Sequence, residues 1–149
     1  MKDAKRNNYK NILIFEDDIK ISDPINFNNK VKIFLLHLPQ TFDLAFLGLE
    51  IQQGSLNSIG INGDVNSVTP DFMAFGIRGY IVSQKGLDKF LSYDTYDSYS
   101  PDIFVWNHAR NSNRDTFVTG ELFECYVSSE NLIYQSFDFP SLVTEMGRI

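Results

Sequence analysis

Cysteine and long apolar runs are scarce in this chain. Cys125 is the single cysteine, so no disulfide can form within the chain, which suits a reducing compartment. The first eleven residues, MKDAKRNNYKN, contain no apolar stretch of the kind found in a secretory signal. No apolar run approaches the roughly 20 residues that a membrane-spanning helix needs. We therefore expect a cytoplasmic protein without a membrane span.

Positive charge is also in short supply. Lys and Arg number 13 against 19 Asp and Glu, which gives a formal net charge of -6, and no basic stripe is present. This pattern argues against a nucleic-acid groove and disfavours docking on anionic lipid. A phosphate-bearing ligand stays compatible with it, because a bound metal ion can supply the local positive charge.

The apolar residues that are present predict one domain in which strands and helices alternate. The chain has 149 residues, of which 43% are hydrophobic, enough for a sizeable core. Short apolar runs predict strands, helical spacing predicts an amphipathic helix, and Asn62-Gly63 is a hairpin signal. The predicted elements are a fully buried strand at 11–15, a helix at 26–38, a strand at 42–50 that closes on Gly48, an exposed hairpin or polar loop at 58–69, and two strand pieces within 71–83, broken by Gly76 and Gly79.

The second half of the chain continues this alternation. Ser83 is placed to cap a helix over 84–93. Ser100-Pro101-Asp102 has the cap, proline and acid of a helix start, and that helix runs to about Arg110. Further strands are predicted at 116–119, 122–127 and 131–135. The order of elements predicts the α/β fold class.

Three consecutive acids follow the first predicted strand, in NILIFEDDIKI, residues 11–21. Because successive strand residues point to opposite faces, Glu16 and Asp18 share a face and Asp17 points away. Two carboxylates at the carboxyl end of a strand suit Mg²⁺ or Mn²⁺, and such an ion could hold a diphosphate. The alternative is a solvated strand end in which Asp17 or Asp18 caps the next turn.

Five segments, taken in order, resemble glycosyltransferase family 25, the family of lipopolysaccharide and procollagen galactosyltransferases. NILIFEDDIKI resembles that family's apolar strand with Glu-Asp-Asp, and FDLAFLG resembles its Trp/Phe-Asp-x-x-x-Leu-Gly strand. GIRGYIVSQKGLDKFL is similar to its Gly-x-x-x-Tyr-x-x-Ser-x-x-Gly segment. SPDIFVW and NLIYQSFDFPSL stand where the family has its Pro-Asp step and its terminal segment. Order and spacing agree over residues 9–142.

This resemblance implies a GT-A type fold, here a partial one with a mixed sheet flanked by helices. It implies an inverting transfer of a hexose, galactose or glucose, from a UDP-sugar to a hydroxyl of a carbohydrate or protein acceptor. In that scheme Asp18 ligates Mn²⁺ (or Mg²⁺), Glu16 lies near the donor's ribose or sugar, and His108 could complete the metal shell. The remaining donor-binding candidates are Asp17, Tyr80, Ser83 and Gln135.

An inverting transfer also needs a base that takes the acceptor's proton, and Asp102 is the candidate for that role. Asp102 has an ordinary alternative, since an acid in the first turn of a helix interacts with the helix dipole. His108 likewise has one, a partly buried polar contact on the predicted helix.

Two other functions stay open. A non-catalytic relative would keep the fold as a sugar-binding or partner-binding module. A receiver-like regulatory domain also opens with an apolar strand and paired acids, but the aspartate that accepts its phosphate is expected near Gly48, and no Lys-Pro pair occurs. The receiver interpretation therefore ranks third.

The segment ahead of the acids is short compared with the family. Members usually carry a sizeable segment before the Glu-Asp-Asp strand, whereas here residues 1–10 precede strand 11–15. We expect residues 1–149 to form a single domain, the C-terminal, metal-side and acceptor-side part of a GT-A domain. Without its usual neighbours, strand 11–15 would have an unpaired edge that favours self-association.

Overall fold

The structure, a computed structural model, describes residues 1–53, 55–59, 63–68, 73–92 and 123–136. Its elements in those ranges are α1 Lys2–Arg6, β1 Asn11–Phe15, β2 Ile19–Ile21, α2 Phe27–His37, β3 Leu44–Gln53, β4 Leu56–Ile59, β5 Val65–Val68, β6 Met73–Ser83, α3 Gln84–Ser92, β7 Cys125–Ser128 and β8 Ile133–Gln135.

A mixed six-stranded sheet organises these elements. The strand order is β1-β6-β3-β7-β5-β4, and β2 and β8 form a separate two-stranded sheet. Within the larger sheet β3 and β7 are parallel, and the other neighbouring pairs are antiparallel. The α/β class and the mixed sheet are confirmed.

Two hydrophobic clusters cover the two faces of this sheet. Alternate residues of β3 enter different clusters, because successive side chains of a strand point to opposite faces. Leu44 and Phe46 pack in the cluster that contains Leu87 and Phe90 of α3. Ala45 and Leu47 pack in the cluster that contains Phe34 of α2 and the β8 residue Ile133, with Leu132 beside it. Helix α3 therefore lies on one face, and α2 and β8 lie on the other.

Two glycines let β8 lie against the sheet. Gly48 of β3 and Gly79 of β6 are register partners, and Ile133 lies over both. A Cβ at Gly48 would come within 3.0 Å of the Ile133 carbonyl oxygen, which real Cβ atoms essentially never do. The Leu132 N–H donates to the Leu47 carbonyl at 2.8 Å and fixes this approach. The position of Gln135, at the end of β8, follows from this contact.

Three details of the sequence prediction for the sheet were wrong. Strand β1 is the first strand of the sheet that the described residues form, and it is not fully buried, since Leu13 is 44% exposed and Phe15 is 40% exposed. Strand β3 does not close on Gly48 but continues to Gln53. Strand β6 is one continuous strand rather than two pieces. The β3–β6 pairing shifts register on either side of Gly48, and β6 continues through its glycines without a break.

Local signals were read correctly elsewhere. Helix α2 lies within the predicted 26–38, and α3 within 84–93. The hairpin is confirmed, since β4 and β5 pair antiparallel and Gly63 has φ +68°. Its predicted exposure is wrong for β5, where Val65 and Asn66 are buried. The predicted helix from 101 to 110 and strand at 116–119 lie outside the described residues. Within the described ranges, no helix has the length and apolar character needed to cross a bilayer.

Candidate functional site

The three acids lie in a turn between β1 and β2, which we call the acidic turn (Glu16–Asp18). The Glu16 N–H donates to the Arg78 carbonyl at 3.0 Å, which ties the start of the turn to β6. Asp17 is exposed. The predicted strand-face argument therefore does not extend to Asp18. Glu16 keeps its ladder contact with β6, but Asp17 and Asp18 form the turn, so alternation no longer decides whether Asp18 faces the same way as Glu16.

Asp18 is held in place by hydrogen bonds from residues at the far end of the described chain. The Gln135 Nε2 donates to the Asp18 Oδ2 at 2.9 Å, and the Ser136 N–H donates to the Asp18 carbonyl at 2.6 Å. The other carboxylate oxygen, Oδ1, is buried and has no hydrogen-bond partner among the described residues. A buried acceptor without a partner is unfavourable, so this oxygen is suited to a donor or cation that is not part of the described chain.

A divalent ion fits this arrangement only when a ligand helps to hold it. Mg²⁺ in proteins is commonly bound by one or two carboxylates together with substrate phosphates and waters. Asp18 offers one free oxygen, while the described part of the chain has no group of three or more His, Cys, Asp or Glu side chains that could hold a metal. The described residues therefore suit a shared ion and do not by themselves form a cage of protein ligands.

Arg78 is a polar residue near this site that sequence reasoning missed. It lies opposite the first acid of the turn on β6, so its side chain and that of Glu16 are on the same face. Its side chain is only 12% exposed, its Nη2 lies 3.4 Å from Glu50, and its buried Nε has no hydrogen-bond partner among the described residues. A guanidinium suits phosphate recognition. The available signal was an arginine within the apolar stretch GIRGYIVS.

Neither Tyr80 nor Ser83 lies at the acidic turn: Tyr80 is buried in the core, and Ser83 is at the other end of β6. Tyr80 is 3% exposed, and its ring lies 6.4 Å from that of Phe46 in the core. The Ser83 hydroxyl donates to the Phe42 carbonyl and accepts from the Gly86 N–H at 3.1 Å, which confirms its predicted capping role. Ser83 pairs with Asn11 at the start of β1, so it is about 17 Å along the sheet from the turn. Their donor contacts stay predictions.

A buried carboxylate, Asp43, was also missed. It is fully buried, and its Oδ2 accepts from the Lys89 Nζ at 2.7 Å and from the Glu124 N–H at 2.8 Å. The Lys85 Nζ lies 3.7 Å from its Oδ1. These contacts join β3, α3 and the start of β7, so Asp43 holds these elements together. Its Oδ1, like that of Asp18, has no hydrogen-bond partner among the described residues. The sequence signal was an acid directly before an apolar strand, with lysines four residues apart on α3.

The groups around Asp43 give an expected pH dependence. Burial raises the pKa of the Cys125 thiol from its ordinary value of 9.0. Burial, and then the neighbouring Glu124, raise the pKa of Tyr126 above 10.0. The folded state thus keeps protons that the unfolded state loses, and the stability present below about pH 9 is lost as the pH rises.

Urea unfolding between about pH 7.5 and about pH 10.5 measures this loss. We expect Cys125→Ala to have a shallower fall in the free energy of unfolding over the same range. Equal slopes for the two proteins would contradict the assignment to the thiol.

The remaining sequence-predicted site residues, Asp102 and His108, lie outside the described residues. The proposed base and the additional metal ligand therefore stay predictions. Among the described candidates, Asp18 and Gln135 are brought into contact, Glu16 and Asp17 share the same turn, and Tyr80 and Ser83 are not brought to it.

Comparison with known proteins gives no family for this chain. No protein-family model matches it, and no curated protein matches it either. The resemblance to glycosyltransferase family 25 rests on the ordered series of motifs alone.

Proposed function

We propose that this chain is the metal-side and acceptor-side part of a GT-A type glycosyltransferase. It transfers galactose or glucose from a UDP-sugar to a hydroxyl acceptor in the cytoplasm, with inversion. The observation that carries the proposal is the Asp18–Gln135 hydrogen bond, which joins residues 117 positions apart. These two residues come from the first and last segments of the motif series, so the two ends of that series meet at one place.

The roles of the chain's own residues follow from their contacts. Gln135 holds one oxygen of Asp18 and leaves the other without a hydrogen-bond partner among the described residues. Arg78 supplies positive charge on the Glu16 side of the turn, where it can attract a diphosphate. A divalent ion bound there would neutralise the charge that develops on the leaving diphosphate. Asp102 is the proposed base that takes the proton from the acceptor hydroxyl.

Donor titrations with and without Mn²⁺ test this proposal. We expect UDP-galactose or UDP-glucose to bind in a Mn²⁺-dependent way. Asp18→Asn should weaken that binding at least about tenfold, because it removes the negative charge from the oxygen that faces the ion. Isothermal calorimetry measures the donor dissociation constants of the parent and of Asp18→Asn.

Asp88→Asn is the matched control for the titration. It removes the same charge from an exposed carboxylate on α3 and should leave donor affinity unchanged. The proposal is wrong for this chain if the parent has no affinity for either donor under any metal condition, or if the two variants lose affinity equally.

A second candidate function, sugar binding without turnover, is favoured by one cavity. A cavity of about 210 Å³ opens between α2 and the segment from 128 to 132. It is smaller than the roughly 300–1,000 Å³ of typical pockets for drug-sized ligands, so it suits a single sugar ring better than a nucleotide sugar. Its polar lining residues are Lys30, Asp64, Ser128, Ser129 and Glu130. Monosaccharide binding with no donor affinity would support this function over transfer.

A further inference from the structure

The backbone of β1 has one side bonded to β6 and one side directed away from the sheet. The Glu16 N–H donates to the Arg78 carbonyl at 3.0 Å, and the Gln84 N–H donates to the Lys10 carbonyl at 2.9 Å. Hydrogen-bonded residues alternate along an antiparallel ladder. Ile12 and Ile14 are therefore bonded to β6 as well, whereas the N–H and C=O groups of the residues between them point outward.

The outward-pointing backbone groups belong to Asn11, Leu13 and Phe15. Strand β1 is first in the sheet order, and it pairs only with β6 among the described residues. Leu13 and Phe15 are also large, partly exposed apolar side chains. Natural edge strands are usually protected by proline, charge or a bulge, and NILIF has none of these. The opposite edge, β4, is shorter and has polar Asn57 and Ser58 at its centre.

We propose that two copies of this chain pair through β1, antiparallel, about a two-fold axis at Leu13. In that register Leu13 faces Leu13 of the other copy, and Asn11 faces Phe15. Every outward N–H and C=O of the three residues then has a partner, because each facing pair exchanges two hydrogen bonds. A shift by two residues keeps the hydrogen-bonding pattern but leaves outward groups of the strand unpaired. The two sheets become continuous.

Charge complementarity supports the same register. Counting outward from Leu13 places Lys10 directly opposite Glu16 of the other copy, at both ends of the paired strands. Side chains in such pairs are close enough to interact, and opposite charges there are favourable. The net charge of -6 on each copy opposes association of two copies. The Lys10–Glu16 attraction at the paired strands counteracts this repulsion.

The pairing also brings a positive charge to the acidic turn. Lys10 of one copy lies beside Glu16 of the other, at the start of the turn that holds Asp18. Each copy therefore contributes a lysine to the charge balance of its neighbour's turn. This inference rests on the strand geometry and not on the proposed function, so failure of the donor titration leaves it intact.

Disulfide trapping tests the register. Cα atoms of a hydrogen-bonded antiparallel pair are about 5.5 Å apart, within the range that a disulfide spans. We expect Leu13→Cys to form a covalent dimer on oxidation with copper phenanthroline. Asn11→Cys is the matched control on the same edge: it faces Phe15 of the other copy, and the two introduced thiols lie about 13 Å apart along the strands. The native thiol is buried and should not react.

Sedimentation velocity across protein concentration tests the charge pair. We expect a reversible dimer of the parent, with Lys10→Glu weakening it at least about tenfold by placing like charges opposite each other. Lys32→Glu makes the same charge change at an exposed position of α2 and should behave as the parent does.

Three results would overturn the proposal. These are a parent that is monomeric at every concentration up to near-millimolar, equal crosslinking of the two cysteine variants, and equal weakening by the two glutamate variants. Circular dichroism of each variant confirms that its overall secondary structure matches that of the parent before the result is counted.

Discussion

Asp43→Ala is expected to lower the free energy of unfolding by about 3–5 kcal/mol. The substitution removes the buried carboxylate that pairs with the Lys89 ammonium and accepts from the Glu124 N–H. The alanine methyl supplies no acceptor in its place. Lys89 has a side chain only 13% exposed, so water cannot fully compensate the lost contact. Urea unfolding at neutral pH measures the change.

Two further variants make this result interpretable. Asp88→Ala breaks the exposed pair with Lys5 and should cost less than about 1 kcal/mol, because an exposed ion pair contributes little. Asp43→Asn keeps the side-chain shape and an acceptor for the Glu124 N–H, so its free energy of unfolding should fall less than that of Asp43→Ala. It should therefore still fold if the alanine variant does not. A loss at Asp43→Ala no larger than that at Asp88→Ala would show that the buried cluster does not join the elements as described.

Elements that depend on neighbouring residues were predictable from the sequence. The spacing of Phe27, Val31 and Phe34 predicted α2, because one face of a helix is a local pattern. Ser83 predicted the start of α3 for the same reason, since a capping hydroxyl bonds an N–H within the next turn. The left-handed backbone at Gly63 is likewise a local feature, and the Asn62-Gly63 dipeptide predicts it.

Features that depend on distant residues were not predictable in this way. The exposure of β1 depends on its position at the sheet edge, which its apolar sequence does not reveal. Strand β2, directly after the acids, exists because it pairs with β8, more than a hundred residues later. That pairing turns the chain away after β1 and places Asp18 beside Gln135. The acids were correctly singled out, but the geometry that selects Asp18 among them comes from the far end of the described chain.

Gly48→Ala is the second substitution with a large expected effect, about 3 kcal/mol of destabilisation. The added methyl would meet the Ile133 carbonyl oxygen, and a backbone atom cannot move aside without displacing β8. In a strand with free space the same change would be mildly stabilising, because alanine restricts the unfolded chain. Thermal and urea unfolding measure the difference.

Gly79→Ala is the matched comparison, since Gly79 is the register partner of Gly48. The atoms that its methyl would meet, the Ile133 Cδ1 and the edge of the Phe15 ring, belong to side chains and not to the backbone, so they can shift without displacing β8. We expect a cost of about 1 kcal/mol there. Equal costs at the two glycines would contradict the close backbone approach of β8.

The same pair of variants links the fold to the site. Displacement of Ile133 moves Gln135, which is two residues further along β8 and holds the Asp18 carboxylate. Under the proposed function, Gly48→Ala should therefore weaken Mn²⁺-dependent donor binding at temperatures where it is fully folded, and Gly79→Ala should do so less. A folded Gly48→Ala variant with parental donor affinity would contradict this link. It would show that the orientation of the Asp18 carboxylate does not depend on the position of β8, the strand that carries Gln135.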